Sequence, residues 1–272
     1  MTNKKDKYFE LCPFDAMKAV DETITWIQNE VNKTPFKRVV VGVSGGIDSA
    51  VVLALCVQAL RPENVFGVNL PYESISSHAT KLDAMNLCKN LGVKLFVQPI
   101  NGVVDNYFQT FLRANSTREN IHLRRGNVSA RVRMLALFDY AMCLNAVVVG
   151  TENKTEKELG YFTIGGDSVS IFEPILKFSK MQIFEMAKAL NISSNIIQKV
   201  PTAELWSGQT DEDEMGFTYL EADLVLLNDD WSDQGINKHK ELNLIDPIQF
   251  EKVIAWINKM KFKQKLPISN VV

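Results

Sequence analysis

The sequence predicts an α/β protein built on a doubly wound parallel sheet, and three observations predict it. Short β-branched runs such as Arg38-Val39-Val40-Val41-Gly42-Val43 and Ala146-Val147-Val148-Val149-Gly150 have the unbroken hydrophobicity of strands covered on both faces. Longer stretches between such runs place apolar residues at helical spacing. Strand and helix patterns alternate along the chain, the order that a parallel sheet with crossover helices requires.

Taken in order, Asp15 to Val31 reads as an amphipathic helix, with Met17, Val20, Ile24, Ile27 and Val31 three or four residues apart. The strand Arg38 to Val43 follows, then an apolar helix over Ala50 to Leu60, a strand over Asn64 to Leu70, a helix over Ser77 to Leu91 and a strand over Lys94 to Ile100. Leu112 to Gly126 is polar and basic and is expected to be a loop before a helix over Val128 to Cys143. Ala146 to Gly150 is a further buried strand and Lys180 to Leu190 a later helix. Lys199 to Gly216 mixes Pro, Gly, Thr and acids without periodicity, and an irregular stretch of that length in a compact domain is usually functional or disordered. Residues 1–272 are expected to form a single domain.

Composition narrows the class. The 272 residues are 46% hydrophobic and 23% charged, the balance of a soluble globular protein, and a net charge of −2 creates no field favouring nucleic acid or an anionic membrane. Cys12, Cys56, Cys88 and Cys143 form no C-x-x-C pair and read as buried reduced thiols. Met1 to Glu10 lacks the apolar region of a secretory signal, and no apolar run approaches the ~18 residues of a membrane span. A cytoplasmic location without membrane or nucleic-acid partners is the expectation. His78, His122 and His239 are isolated, and neither an H-E-x-x-H helix nor a nucleophile elbow is present, so zinc and hydrolase readings are weak.

The segment Gly42-Val43-Ser44-Gly45-Gly46-Ile47-Asp48-Ser49 joins the first strand to the helix after it. Adjacent glycines let the backbone approach an anion, and successive N–H groups at a helix start make a concave anion site. Ser44 and Ser49 add hydroxyl donors. Asp48 would repel bound phosphates unless a cation lay between, which makes it a Mg²⁺ ligand candidate. The plain alternative is a strand-to-helix turn with Asp48 favouring the helix dipole. The Gly-Lys-Ser/Thr ending of a Walker A loop and the G-x-G-x-x-G of a dinucleotide site are both missing.

Ser44-Gly45-Gly46-Ile47-Asp48-Ser49 resembles the pyrophosphate loop of the N-type ATP pyrophosphatases. Gly126-Asn127-Val128-Ser129-Ala130-Arg131-Val132-Arg133-Met134 is similar to the G-N-x-x-A-R-x-R-M segment of the NAD synthetases within that superfamily. Gly150-Thr151-Glu152-Asn153-Lys154-Thr155-Glu156, with Gly160-Tyr161-Phe162-Thr163 and Asp167, resembles a second of their segments; Pro201-Thr202-Ala203-Glu204-Leu205-Trp206 with Gly208-Gln209-Thr210-Asp211-Glu212 resembles their mobile second loop. Order and spacing match over roughly residues 38 to 217.

The resemblance implies an adenine nucleotide alpha hydrolase-like, Rossmann-like fold and an ammonia-dependent, AMP-forming amidation of deamido-NAD⁺, with ATP as co-substrate and Mg²⁺ as cofactor. It places ATP on Gly42 to Ser49, Thr151, Lys180 and Thr202, the metal on Asp48 and Glu156, and the acceptor on Asn127, Arg131, Asp167 and Lys263. Catalytic roles fall to Asp48, Asp167 and Lys180. Arg131 is assigned to the substrate and Arg133 to structure, because an Arg stem also packs over apolar surface. From the residues alone, Glu156 reads rather as a solvated acid and the basic tail Lys259 to Lys265 as a solvated helix end, Lys180 reads equally as a surface lysine, and Thr202 also as a helix N-cap. The family resemblance also implies a homodimer, a loop around 199–216 that closes over the site, and ammonia that is free or delivered by another protein, since 272 residues hold no glutaminase domain.

Three positions depart from the family pattern. Ile164 stands where a lysine is usual, Ile171 where an aspartate is usual, and Phe262-Lys263 replaces a His-Lys pair. All three fall on the acceptor side, so a paralogue amidating a different carboxylate is the alternative. A nucleotide-binding module without catalysis is disfavoured by retention of both metal carboxylates. A tRNA sulfurtransferase would need catalytic cysteines and a basic face, and neither is visible.

Overall fold

The computed structural model describes residues 4–72, 78–114, 119–202, 208–227 and 245–264. Ser77 of the expected second-strand crossover, Ala203 to Ser207 of the irregular segment and Lys265 of the basic tail lie outside the described residues.

Four parallel strands, β1 (Arg38–Gly42), β2 (Val65–Asn69), β3 (Lys94–Val97) and β4 (Ala146–Val149), lie in the order β3-β2-β1-β4. Central β1 pairs Val41 with Gly67 on one side and with Val149 on the other. The alternation within the valine runs sorts the core. Val39, Val41, Val147 and Val149 face α2 (Ala16–Asn32), α3 (Ile47–Leu60) and α8 (Lys180–Ala189), where Ile27, Leu53, Ile183 and Met186 close over them. Val40 and Val148 face the opposite way, onto Val104 and Phe108 of α5 (Asn101–Ala114) and Ala136 of α6 (Ile121–Leu144). Helices on both faces explain why these strands read as unbroken apolar runs. The second crossover, α4 (His78–Asn90), runs between β2 and β3.

Strand order reverses between β1 and β4, and the crevice beyond their carboxyl ends is where such sheets bind ligands. A further segment extends that edge: Ile171 N–H donates to Val148 O at 3.0 Å and Gly150 N–H to Phe172 O at 3.0 Å, bridging Val149 to Phe172.

Several expectations need correction. Leu112 to Gly126 is not a loop throughout, since α5 continues to Ala114 and α6 begins at Ile121. The first turns of α6 line a cleft with Leu123, Asn127 and Arg131, and a polar, cleft-facing wall lacks the apolar stripe that reveals a surface helix. The segment 199–216 contains α10 (Asp211–Met215), capped by Thr210, whose side chain accepts from Asp213 N–H, and closed by Gly216 at φ +79°. Helix α3 starts at Ile47 rather than Ala50, so Asp48 and Ser49 belong to its first turn.

Unforeseen helices build a third core. Tyr8 of α1 (Lys4–Leu11), Leu159 of α7 (Lys154–Leu159), Tyr219 and Val225 of α11 (Tyr219–Leu226), and Phe250 and Val253 of α12 (Pro247–Met260) pack together. The cysteine expectation is half met: Cys56 and Cys88 are buried and pushed up to about 12 by desolvation, whereas Cys143 is exposed; all four are free. No helix among the described residues is long and apolar enough to cross a membrane.

Candidate active site

The carboxyl ends of β1 and β4 open into a cleft of about 930 Å³. Gly42, Val43, Ser44, Gly46, Ile47, Asp48 and Ser49 of the glycine loop line it, as do Thr151, Glu156, Lys180 and Thr202. Asn127, Arg131, Asp167 and Lys263 line the same cleft, so nearly every residue expected at the site comes to one cavity. Gly45 is the exception: it has φ +85°, and a Cβ there would lie 2.3 Å from Thr80 O, so no other residue fits between the loop and α4.

The two serines shape the loop from within. Ser49 Oγ donates to Gly46 O at 3.0 Å, Gly46 N–H donates to Ser44 Oγ at 3.2 Å, and the hydroxyls lie 3.1 Å apart. Gly46 is the N-cap of α3 and supplies no side-chain cap, which leaves the helix start to an anion. Lys199, at the start of the irregular segment, donates to Gly45 O at 3.1 Å and to Asp83 Oδ2 of α4, tying three segments at the loop.

Beside the loop stands a cluster assembled from three helices. Lys180 Nζ lies 2.6 Å from Asp48 Oδ2 and 3.0 Å from Glu156 Oε1. Lys180 is only 2% exposed and its ammonium sits 4.7 Å from the Tyr219 ring centroid. It is therefore not a surface lysine. Burial pulls its pKa down, but the two carboxylates outweigh burial and hold it above the ordinary lysine value. Burial also raises Glu156, against the pull of Lys180. Glu156 is not a solvated acid either: with Asn153 it forms the capping box of α7, and Asn153 Nδ2 donates to Asp48 Oδ1 at 2.8 Å. Asp223, 1% exposed, supports the cluster from below by accepting from Thr155 Oγ1 and from Met181 N–H. Burial pushes its carboxyl up to about 6. Two carboxylates converging on one cation, next to a phosphate-shaped loop, suit a hard divalent ion whose other ligands are phosphate oxygens and water.

The opposite end of the cleft is organised around the turn 160–167. Arg131 Nε donates to Ile164 O at 3.1 Å, and Lys263 Nζ donates to Gly160 O at 2.8 Å and Phe162 O at 2.7 Å. Asn127 Oδ1 accepts from Thr163 Oγ1 and Asp167 Oδ1 from Thr163 N–H, each at 2.9 Å. Lys263 is held below the ordinary lysine value by burial, which Asp167 opposes. Arg133 Nε donates to Leu70 O at 3.0 Å, and Arg133 lines the cleft beside Arg131. The residues that would follow a Thr202 cap, Ala203 to Ser207, lie outside the described residues. Of the three departures, Ile164 and Phe262 line the cleft, 37% and 57% exposed, together with Val169; Ile171 does not line it.

Sequence reasoning passed over Asn153, Lys199, Tyr219 and Asp223. Asn153 carried a visible signal, an Asn three residues before a Glu. The other three had none, because their partners are distant in the chain.

The NAD synthase family model matches residues 19–267. The chain belongs to the NAD synthase family. An NH(3)-dependent NAD(+) synthetase of Chlorobaculum parvum is 38% identical over 250 residues, covering 90% of this chain and 86% of the relative. Among solved structures, the NH3-dependent NAD synthetase of Campylobacter jejuni superposes with a TM-score of 0.77 at 32% identity, covering 95% of this chain and all of that one. An NMN synthetase from Francisella tularensis superposes with a TM-score of 0.80, also at 32% identity and the same coverage.

Proposed function

We propose that this member of the NAD synthase family amidates deamido-NAD⁺ to NAD⁺ with ammonia and ATP, releasing AMP and pyrophosphate. The observation that carries the reading is the convergence of the glycine loop with Asp48, Glu156 and Lys180 at the β1/β4 switch point. Loop N–H groups would hold the pyrophosphate portion of ATP in line for departure. Asp48 and Glu156 are the residues that would hold Mg²⁺, which when bound neutralises charge on the phosphates. Lys180 supplies a buried positive charge of its own against the leaving pyrophosphate. The nicotinate carboxylate attacks the α-phosphorus to give an acyl adenylate, and ammonia displaces AMP. Asn127, Arg131, Asp167 and Lys263 form the wall that receives the acceptor, with Thr151 and Thr202 on the ATP side. A single-domain protomer acting as a homodimer completes the reading, supported by Leu135 and Met142 of α6, which are 64% and 83% exposed.

A second reading has its own support. Ile164, Val169 and Phe262 give the acceptor end an apolar rim where a dinucleotide's polar groups would need partners, and one structural relative is an NMN synthetase. The acceptor would then be a mononucleotide or another carboxylic acid.

One assay separates them. The pure protein is incubated with MgATP, ammonium and either deamido-NAD⁺ or nicotinate mononucleotide, following pyrophosphate and the amide product. Pyrophosphate release that depends on deamido-NAD⁺, with NAD⁺ formed, is expected. Release only with the mononucleotide or another acid transfers the chemistry to the second reading, and no release with any acid overturns both.

A further inference from the structure

Within the segment Gly42 to Ser49, Gly45 alone does not line the cleft, while Gly46, which follows it, does. The peptide joining them therefore carries its oxygen on the residue outside the cleft and its N–H on the residue inside. Backbone preference does not fix that choice. Gly45 has φ +85° and Gly46 φ −89°, and a peptide between two residues without side chains turns over easily. Turned over, it would swing a carbonyl oxygen toward the cleft, where bound phosphates need N–H groups.

Two hydrogen bonds hold the peptide as it stands. Gly46 N–H donates to Ser44 Oγ at 3.2 Å, a neutral bond inside the loop. The other end is held by a charge: Lys199 Nζ donates to Gly45 O at 3.1 Å. Charge-assisted bonds are the stronger kind, so Lys199 is the firmer of the two restraints. Its ammonium also bonds Asp83 Oδ2 of α4, and the two side chains are only 23% and 16% exposed. Helix α4 backs the loop directly as well, because a Cβ on Gly45 would collide with Thr80 O. The loop's own acid, Asp48, does not draw the lysine away, since Asn153 and Lys180 occupy its two oxygens.

We propose that Lys199, seated by Asp83, is a positioning residue for ATP: it holds the Gly45 carbonyl out of the cleft, so that the Gly45–Gly46 peptide presents N–H to the pyrophosphate portion. The lysine acts through the loop and not on a reacting atom. Lys199 also opens the stretch Lys199 to Thr202, which lines the cleft throughout, and so ties the shape of the loop to that wall. The inference rests on the amidation reading for the identity of the anion, and its test is read from binding without an acceptor.

Dissociation constants for MgATP, magnesium pyrophosphate and AMP are measured for the unaltered full-length protein and for Lys199→Met, Lys199→Arg and Asp83→Asn. A loop whose competent form is less populated binds its anion more weakly in the same proportion. Lys199→Met should weaken MgATP and pyrophosphate about tenfold and leave AMP within about twofold. Lys199→Arg keeps a charged donor and should recover most of that loss. Asp83→Asn removes a negative charge near the anion, so simple electrostatics, or a lysine freed to meet the phosphates itself, would tighten pyrophosphate. Loss of the lysine's seat should instead weaken it, by about threefold. In turnover, the Lys199→Met defect should appear as a raised KM for ATP, with kcat lowered by less than about threefold. Unchanged pyrophosphate binding in Lys199→Met, tighter binding in Asp83→Asn, or a loss confined to kcat overturns the proposal. So does equal weakening of AMP, the mark of a general collapse rather than a misoriented loop. An unaltered protein that binds MgATP yet amidates no acceptor strikes the amidation reading instead, and the binding measurements still decide the role of Lys199.

Discussion

Where β1 and β4 part, the cleft holds its charges in close, mutually compensating geometry: Lys180 sits between Asp48 and Glu156, and each partner is fixed by a helix start or a capping box. At the other end, Arg131 and Lys263 donate to backbone carbonyls, and Ile164, Val169 and Phe262 present apolar surface to solvent. The first region has few alternative arrangements, because Gly45 cannot be replaced and a buried lysine needs its carboxylates. It therefore declares its chemistry, a polyanion and a cation. The second can recognise by shape and apolar contact, which discriminates related molecules by only ~1–3 kcal/mol. Reaction type is written at one end of the cleft and acceptor identity, more faintly, at the other.

Four changes test that contrast, beginning with the largest effect. Lys180→Met leaves two partly buried carboxylates facing each other and should lower stability by about 3–5 kcal/mol, read from denaturant unfolding. A loss under about 1 kcal/mol would mean the cluster is solvated and interchangeable with the other end. Next, Asp48→Asn keeps the side-chain shape but removes the charge proposed for the metal, and acceptor-dependent pyrophosphate release should fall by about 10²–10³-fold; an unchanged rate removes Asp48 from that role. Phe262→Ala should raise KM for the acceptor about tenfold, the worth of a lost apolar contact of ~1.4 kcal/mol, and leave KM for ATP unchanged. A rise in both constants would show that the two ends do not act separately.

The smallest effect concerns pH. Glu152 and Glu173 have folded values of about 7 against an ordinary 4.5, so the native protein keeps protons that the unfolded chain has released. The stabilisation from these groups is present below about 4.5 and is lost as pH rises toward about 7. Glu152→Gln should flatten the fall in unfolding midpoint across that window, an effect on the order of 1 kcal/mol. An unaltered slope would show that the carboxyl is not desolvated.

The fold was legible wherever local pattern and tertiary role coincide. Valine runs at 39–41 and 147–149 are covered on both faces, so their hydrophobicity is continuous and their strand character plain. The glycine loop was legible because Ser44-Gly45-Gly46 places special backbone residues between a strand and a helix. The start of α6 was not, since its residues face a cleft and show no apolar stripe. Nor was α11, which buries Tyr219, Ala222, Asp223, Leu224, Val225 and Leu226 on nearly every side and so has no period to detect.

By itself the sequence determined the parallel sheet, the phosphate-shaped turn and the motif residues that reach the cleft, because those depend on local backbone preference and on short motifs. Only the tertiary structure decided what those side chains do to one another. Asp48 lies more than a hundred residues of chain from Glu156 and Lys180 yet meets Lys180 at hydrogen-bond distance, as Glu156 does, and Glu173 reaches Glu152 only because a bridge forms at Phe172. Charge balance, burial and proton affinity are properties of such meetings, and they exist only once the chain has closed.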